Sequence, residues 1–326
     1  MNPSLLAATV LLLSTASASA GTNEYSALMK ARKYADVERA AAARLAREPA
    51  NADALVARSS AIAGGGNQAR IPEAIGYAEQ CVRRHPSHSP CHLALGQMLG
   101  WKAMAGGILS AIGYAGDIRG AFQKAVELDP RNLDARFSLL QFYLMAPSIA
   151  GGGSSKAVDL AGKTAALSPE GARIMQGMID LHGGNLAKAE ATANAARPGG
   201  DEELAERHEG LLVSIAGKFM SEKKLADAER IVQTTARLYP ESEQAAFMTA
   251  RVRQEQGRHR EAVVAFEALL AKHARGYIHY RLGQSQQALG EKAKAVAAFE
   301  KALAATPGLN PKQKSDAQAQ LATLKS

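Results

Sequence analysis

The chain has 326 residues, 47% of them hydrophobic but only 5% aromatic, and a formal net charge of +8. Alanine supplies much of the apolar content and runs of Val, Ile, Thr and aromatics are scarce, which excludes a strand-rich sandwich or barrel and predicts an all-α chain of closely packed helices. The basic excess is mild and contains no dense Lys/Arg block, so charge gives no reason to expect a nucleic-acid partner.

The first residues read MNPSLLAATVLLLSTASASA. The apolar run Leu5 to Leu13 is shorter than the roughly 20 residues that span a bilayer. Ala18-Ser19-Ala20 fits a small-residue cleavage site, so residues 1–20 read as a secretory signal peptide, although Lys and Arg are missing from its start. A mature chain beginning near Gly21, without a transmembrane segment, is expected in the periplasm or outside the cell. In such a compartment Cys81 and Cys91 can persist as a disulfide.

From there one pattern recurs, with small or apolar residues at offsets 0, +4 and +7 and often a proline five residues on. It begins imperfectly at Val37, Ala41 and Arg44 with Pro49. It continues through Ala74, Ala78 and Cys81 with Pro86, then Ile118, Phe122 and Ala125 with Pro130. Further copies start at Ala157, Ala189, Ala228, Ala262 and Ala295. Successive central positions, from 41 to 299, differ by 37, 44, 39, 32, 39, 34 and 33 residues. Eight helical hairpins follow, each second helix stopped by the proline or the turn after it.

Three units run long, and their extra residues fall at Gly64 to Pro72, Gly100 to Gly120 and Ala146 to Ser155. These stretches read as glycine-rich turn insertions projecting from one edge as a crest, either a binding face or tolerated surface loops. The second carries the sole tryptophan, Trp101, with Met104, Ile108, Leu109, Ile112 and Tyr114. Exposed, it would be an apolar docking surface; folded back, it would pack on its own repeats. Gly151 to Gly153 permit a turn with positive φ, but no Gly-Lys-Ser/Thr follows as in a phosphate-binding loop. Arg197-Pro198-Gly199-Gly200 breaks helix. It divides irregular repeats at residues 21–198 from regular ones at 199–326, which end in a polar capping helix from Pro311 to Ser326.

The most regular unit, Tyr277 to Pro307, sets Leu282 and Gly283 on a first helix against Ala295, Phe299 and Ala302 on a second. It resembles the tetratricopeptide repeat, a helix–turn–helix unit of about 34 residues. Phe142 to Gly153, FYLMAPSIAGGG, is similar to an element of secreted bacterial proteins of that family whose role is unassigned. The resemblance implies a right-handed α-solenoid of about eight repeats with a C-terminal cap. It also implies a groove, lined by first helices, that receives a peptide or helix. The corresponding positions are Gln97, Phe137, Gln141, Phe247, Arg251, Gln254, Tyr280, Gln284 and Gln287, with Trp101 added from the second insertion. The Lys/Asn set with which some members clamp a terminal carboxylate is not reproduced.

His85, His88, Cys91 and His92 cluster around Pro86 and Pro90, and a metal there would compete with the disulfide for Cys91. Cys81 on a second helix and Cys91 at the start of the next first helix suit a Cys81–Cys91 disulfide. No metal or cofactor is therefore assigned. No H-E-x-x-H, G-x-S-x-G or paired-carboxylate pattern occurs, so no catalytic residue is named. The chain reads as a non-enzymatic interaction scaffold or adaptor of the bacterial cell envelope, with a protein or peptide partner. The alternative is a small-ligand or metal-binding module built on the crest and the His85–His92 turn.

Overall fold

The computed structural model describes residues 20–306 and 308–325. The expected signal peptide, apart from Ala20, and the helix-ending Pro307 lie outside these residues. Among the described residues every regular element is helical, and the chain divides into two compact units, one ending at Pro130 and the other starting at Arg131.

The first unit holds α1 (Ala20–Lys30), α2 (Tyr34–Arg47), α3 (Ala52–Gly64), α4 (Ile71–Arg84), α5 (Ser89–Ala105) and α6 (Gly107–Leu128). The second unit begins with α7 (Leu133–Met145), α8 (Ser154–Ala165), α9 (Pro169–His182), α10 (Leu186–Ala195), α11 (Glu202–Ser221) and α12 (Leu225–Leu238). It continues with α13 (Glu243–Glu255), α14 (His259–Lys272), α15 (Gly276–Ala288), α16 (Lys292–Ala304) and α17 (Pro311–Lys325). Within each unit every helix packs on the next, and the odd-numbered helices also touch one another: α1 with α3 and α3 with α5, then α7, α9, α11, α13, α15 and α17 in succession. The odd helices are thus a first-helix layer and the even ones a second-helix layer, an all-α helical repeat fold.

Local chemistry explains the punctuation. Asn51, Asn132, Ser168, Asp201 and Ser242 each accept the third backbone N–H of the odd helix that follows, the bond an N-cap side chain supplies. Glu48, His85, Asp129 and Tyr239 leave helical geometry just before Pro49, Pro86, Pro130 and Pro240, because a following proline disfavours the α region. The small residues that lead the repeated pattern, Val37, Ala74, Ala157, Ala189, Ala228, Ala262 and Ala295, are completely buried. Helix axes come close where glycine faces an aromatic ring. A Cβ on Gly283 would lie 3.0 Å from the Phe299 ring, and one on Gly96 would lie 2.5 Å from Phe122.

The insertions differ from the expected turns. Gly64 to Pro72 is the end of α3, one 3-10 turn at Gln68–Arg70 and the start of α4. Ala146 to Ser155 is a 3-10 turn at Ser148–Ala150 followed by Gly151 and Gly153 at φ 93° and 132°. Gly100 to Gly120 is scarcely a turn at all, since it extends α5 and α6 and breaks only around Gly106. The helix break at Arg197 to Gly200 lies inside the second unit, where α11 packs on both α9 and α10.

The turns between first and second helices need a left-handed residue, supplied by Gly257 at φ 77° and Gly290 at φ 75° but by Lys223 at φ 61°. A side chain in that region costs about 1 kcal/mol. Lys223→Gly is therefore expected to stabilise the protein by about that amount and Gly290→Ala to destabilise it similarly, as read by urea denaturation; equal midpoints for both variants would contradict this account of the turns.

Candidate functional site

The longest hairpin of the first unit carries its most exposed apolar surface. α5 has 17 residues and α6 has 22, whereas the adjoining α4 has 14. At 1.5 Å per residue, α6 outruns α4 by roughly 12 Å. The overhang is the N-terminal end of α6 with the C-terminal end of α5. There Trp101 is 52% exposed, Met104 72%, Leu109 82% and Ile112 51%. Each pair is three residues apart on its helix and so lies along one side of it. Burying one such side chain is worth about 1.5–3 kcal/mol, so this tip holds association energy that the fold leaves unused. The link between the helices requires glycine, because Gly107 has φ 77° and a Cβ on Gly106 would meet the Ser110 side chain at 2.5 Å.

Beside the tip, α4, α5 and α6 enclose a groove of about 670 Å³ lined by Ile75, Leu95, Leu99, Lys102, Tyr114 and Asp117 among others. The Lys102 ammonium sits 4.9 Å above the Tyr114 ring, a cation–π contact that braces one wall. Gln97 and Trp101, one helical turn apart on α5, share a side of that helix.

The remaining groove candidates fall into two groups. Phe137, Gln254 and Tyr280 are buried and do not present a surface to a partner. Counting offsets along one helix locates the side facing the next first helix, and the stacking of that layer covers it. Arg207 lies 5.2 Å over the Phe137 ring. Gln254 Nε2 donates to the Arg281 carbonyl at 2.8 Å and to Ser285 Oγ at 2.7 Å. The Tyr280 hydroxyl donates to Asp316 of α17 at 2.7 Å and accepts from Gln284 Nε2 at 2.8 Å.

Of the others, Gln141 is exposed and Gln97, Phe247, Arg251, Gln284 and Gln287 are half-buried. Phe247 packs edge-on against Tyr277 with ring centres 4.8 Å apart. Burial, and then the neighbouring Arg281, lower the pKa of the Arg251 guanidinium, which lies 6.0 Å from the Phe247 ring. Gln287 Nε2 donates to Gln320 Oε1 of α17 at 2.8 Å. The capping helix thus takes up the polar groups that the end of the first-helix layer would offer a ligand.

The Cys/His turn is well ordered by hydrogen bonds. Cys81 and Cys91 form a disulfide, S–S 2.05 Å and Cα–Cα 5.3 Å, that pins α4 to α5. Both cysteines are wholly buried. His85 Nε2 bonds the Ala50 carbonyl and His92 Nε2 the Pro86 carbonyl, while His88 Nδ1 lies 3.4 Å from Cys91 Sγ. The buried His208 is likewise structural, held by the Tyr239 hydroxyl at 2.6 Å and the Ala193 carbonyl at 2.8 Å.

Sequence reading missed one titratable pair. Glu203 on α11 faces Asp134 on α7, 69 positions apart and without a motif to link them. Burial, then the Asp134 charge, push the Glu203 carboxyl up to about 7. The ordinary carboxyl value is about 4.3. The folded protein therefore holds this proton more tightly than the unfolded chain, and the stability it adds below about pH 4.3 is lost as pH rises through 7. Glu203→Gln is expected to flatten the fall in stability between about pH 4.3 and 7; an unchanged pH profile in urea denaturation would refute it. Replacing both Cys81 and Cys91 by serine should lower stability by about 2–3 kcal/mol, the value for a loop of this size. The reduced wild type should match the double variant.

Residues 247–310 match the tetratricopeptide repeat family. Comparison with curated protein sequences gives no match. Among solved structures, yeast Tom70 is similar with TM-score 0.62 and 12% identity over 90% of this chain and 59% of that one. The human IFIT1 dimer with m7Gppp-AAAA is similar with TM-score 0.54 and 16% identity over 93% of this chain and 62% of that one. The chain spans about three fifths of the length of each, and at such identities the likeness is one of fold. With that repeat matched near the C-terminal end and helical hairpins stacked within each unit, the chain carries a tetratricopeptide-repeat segment at residues 247–310 and has an all-α helical repeat fold like that of tetratricopeptide-repeat proteins.

Proposed function

We propose that this protein is a non-enzymatic scaffold that holds a partner protein through the apolar tip of the α5–α6 hairpin. Tetratricopeptide repeat proteins generally mediate protein–protein interaction, and the observation that carries the more specific reading is the exposure of Trp101, Met104, Leu109 and Ile112 at one hairpin end. Apolar side chains clustered in water at the end of a hairpin are the pattern of an interaction surface, with tryptophan enriched at its hot spots.

The partner this surface suits is an amphipathic segment whose apolar side covers the tip. Its polar side would meet Gln97 and the charged walls of the adjoining groove, including Lys102 and Asp117. Gln141 and the accessible parts of Phe247, Arg251, Gln284 and Gln287 are secondary contacts in this proposal. The signal-like start and the buried disulfide support a place in the cell envelope or outside the cell. Among the described residues no helix is long and apolar enough to cross a membrane.

The test compares the full chain with a Met104→Ser/Leu109→Ser variant as baits for envelope extracts, the captured proteins then being purified and their affinities measured. Both positions are highly exposed, so folding should be unaffected. Recovery of the specific partner should fall roughly tenfold or more, equivalent to about 1.4 kcal/mol. Equal recovery of every protein with both baits would remove the tip from the interface, and recovery of the expressed protein only in the cytoplasmic fraction would overturn the envelope assignment.

A further inference from the structure

The Cys/His turn plays no part in that interaction, and its donor atoms are arranged for a different task. We propose that Cys81, His88 and Cys91 form a redox-gated site for a thiophilic metal ion of the Zn²⁺ class, closed while the disulfide is intact and opened by its reduction.

The three side chains place Sγ, Nδ1 and Sγ within 4.8 Å of one another. Tetrahedral zinc, with Zn–S near 2.3 Å and Zn–N near 2.0–2.1 Å, requires donor separations of roughly 3.5–3.8 Å. The His88 Nδ1 to Cys91 Sγ distance is already 3.4 Å. The two sulfurs must part and Cys81 Sγ must settle at the same separation from His88, and the helix ends that carry the sulfurs are 5.3 Å apart at Cα, a span that two thiolates on one ion can bridge by side-chain rotation. The neighbouring histidines are committed elsewhere, His85 to the Ala50 carbonyl and His92 to the Pro86 carbonyl. His88 has its ring nitrogen turned to the sulfurs instead. The cysteines are wholly buried whereas His88 is half-exposed, so an ion would enter on the histidine side and keep water as its fourth ligand.

The chemistry balances with an external dithiol or phosphine reductant. Two electrons from the reductant cleave the S–S bond and two protons convert the sulfurs to thiols; a dithiol gives up its own two protons and leaves as its disulfide, whereas a phosphine leaves as phosphine oxide, with water supplying the oxygen and both protons. The cation then displaces both thiol protons to solvent and takes the lone pair of neutral His88. An external disulfide reverses the step: it takes two electrons from the thiolates and two protons from solvent, leaves as two thiols, and the re-formed Cys81–Cys91 bond releases the cation.

The test uses the full chain, oxidised or reduced with a phosphine under anaerobic conditions, titrated with Co²⁺ as a spectroscopic stand-in and then with Zn²⁺. Reduced protein should take up a single ion per chain with thiolate-to-cobalt charge-transfer absorption, and oxidised protein none. His88→Ala should weaken binding roughly tenfold or more, whereas His85→Ala and His92→Ala should stay within about threefold. Circular dichroism accompanies each titration. A reduced, helical protein without the charge-transfer band would overturn the proposal, as would a His88→Ala variant that binds like the wild type. Loss of the fold on reduction that Zn²⁺ does not restore would overturn it equally.

Discussion

The structure rests on the burial of small residues between paired helices. A single hairpin of this sequence cannot cover its own apolar side, so the side is covered by the neighbour, and the interior is handed along the chain. Ala250, Ala262, Phe266, Leu269, Ile278, Leu282 and Ala298 form one such cluster across four consecutive helices. The next consists of Tyr280, Ala295, Phe299, Ala302 and Ala317, and it ends on the capping helix. Alanine and glycine bring the axes together, and a phenylalanine opposite glycine fills what remains. Charged side chains do a smaller, positional job. Arg70, at the start of α4, reaches back to Glu38 of α2, and Arg258, before α14, reaches back to Glu229 of α12. The same device in both units ties successive second helices in register, though each exposed pair adds little to stability.

How much of this was legible depends on the range over which the signal acts. The second helices were readable because their apolar residues recur at helical spacing and their stops are prolines a fixed distance on, both local properties. The disulfide was readable because the two cysteines fall at the end of one helix and the start of the next. The α5–α6 hairpin reads locally as a glycine-rich turn, but the chain there is helical on both sides of Gly106. Gly113, Gly116 and Gly120 each lower helix propensity, by about 1 kcal/mol relative to alanine. Yet all three lie inside α6, where no neighbouring atom would obstruct a side chain. Pairing along the whole length of α5 overrides the local preference, and that is a tertiary effect no window of sequence displays.

The groove positions show the same limit. Offsets along one first helix identify a side of that helix but not what lies against it. The offsets put Phe137, Gln254 and Tyr280 on an open groove, and stacking in the first-helix layer buries them. Gln284 and Gln287, expected as groove contacts, are half-buried; Gln287 bonds Gln320 of α17, and Gln284 bonds the Tyr280 hydroxyl that itself reaches α17. The exposed tip, by contrast, was legible as an unusual stretch and not as a geometry. Its apolar residues stood out in the text, and only the helices revealed that they point away from the core.

The position of Trp101 has an optical consequence. It is the lone indole in a chain with eight tyrosines, and it stands half in water at a hairpin end and not inside any packed cluster. Its emission therefore starts red-shifted and reports the immediate surroundings of that end, so loss of the interior packing elsewhere would pass almost unseen in an intrinsic fluorescence trace. A spectroscopist would have to follow ellipticity to watch the molecule melt, and would hold in the tryptophan a probe of the α5–α6 hairpin end.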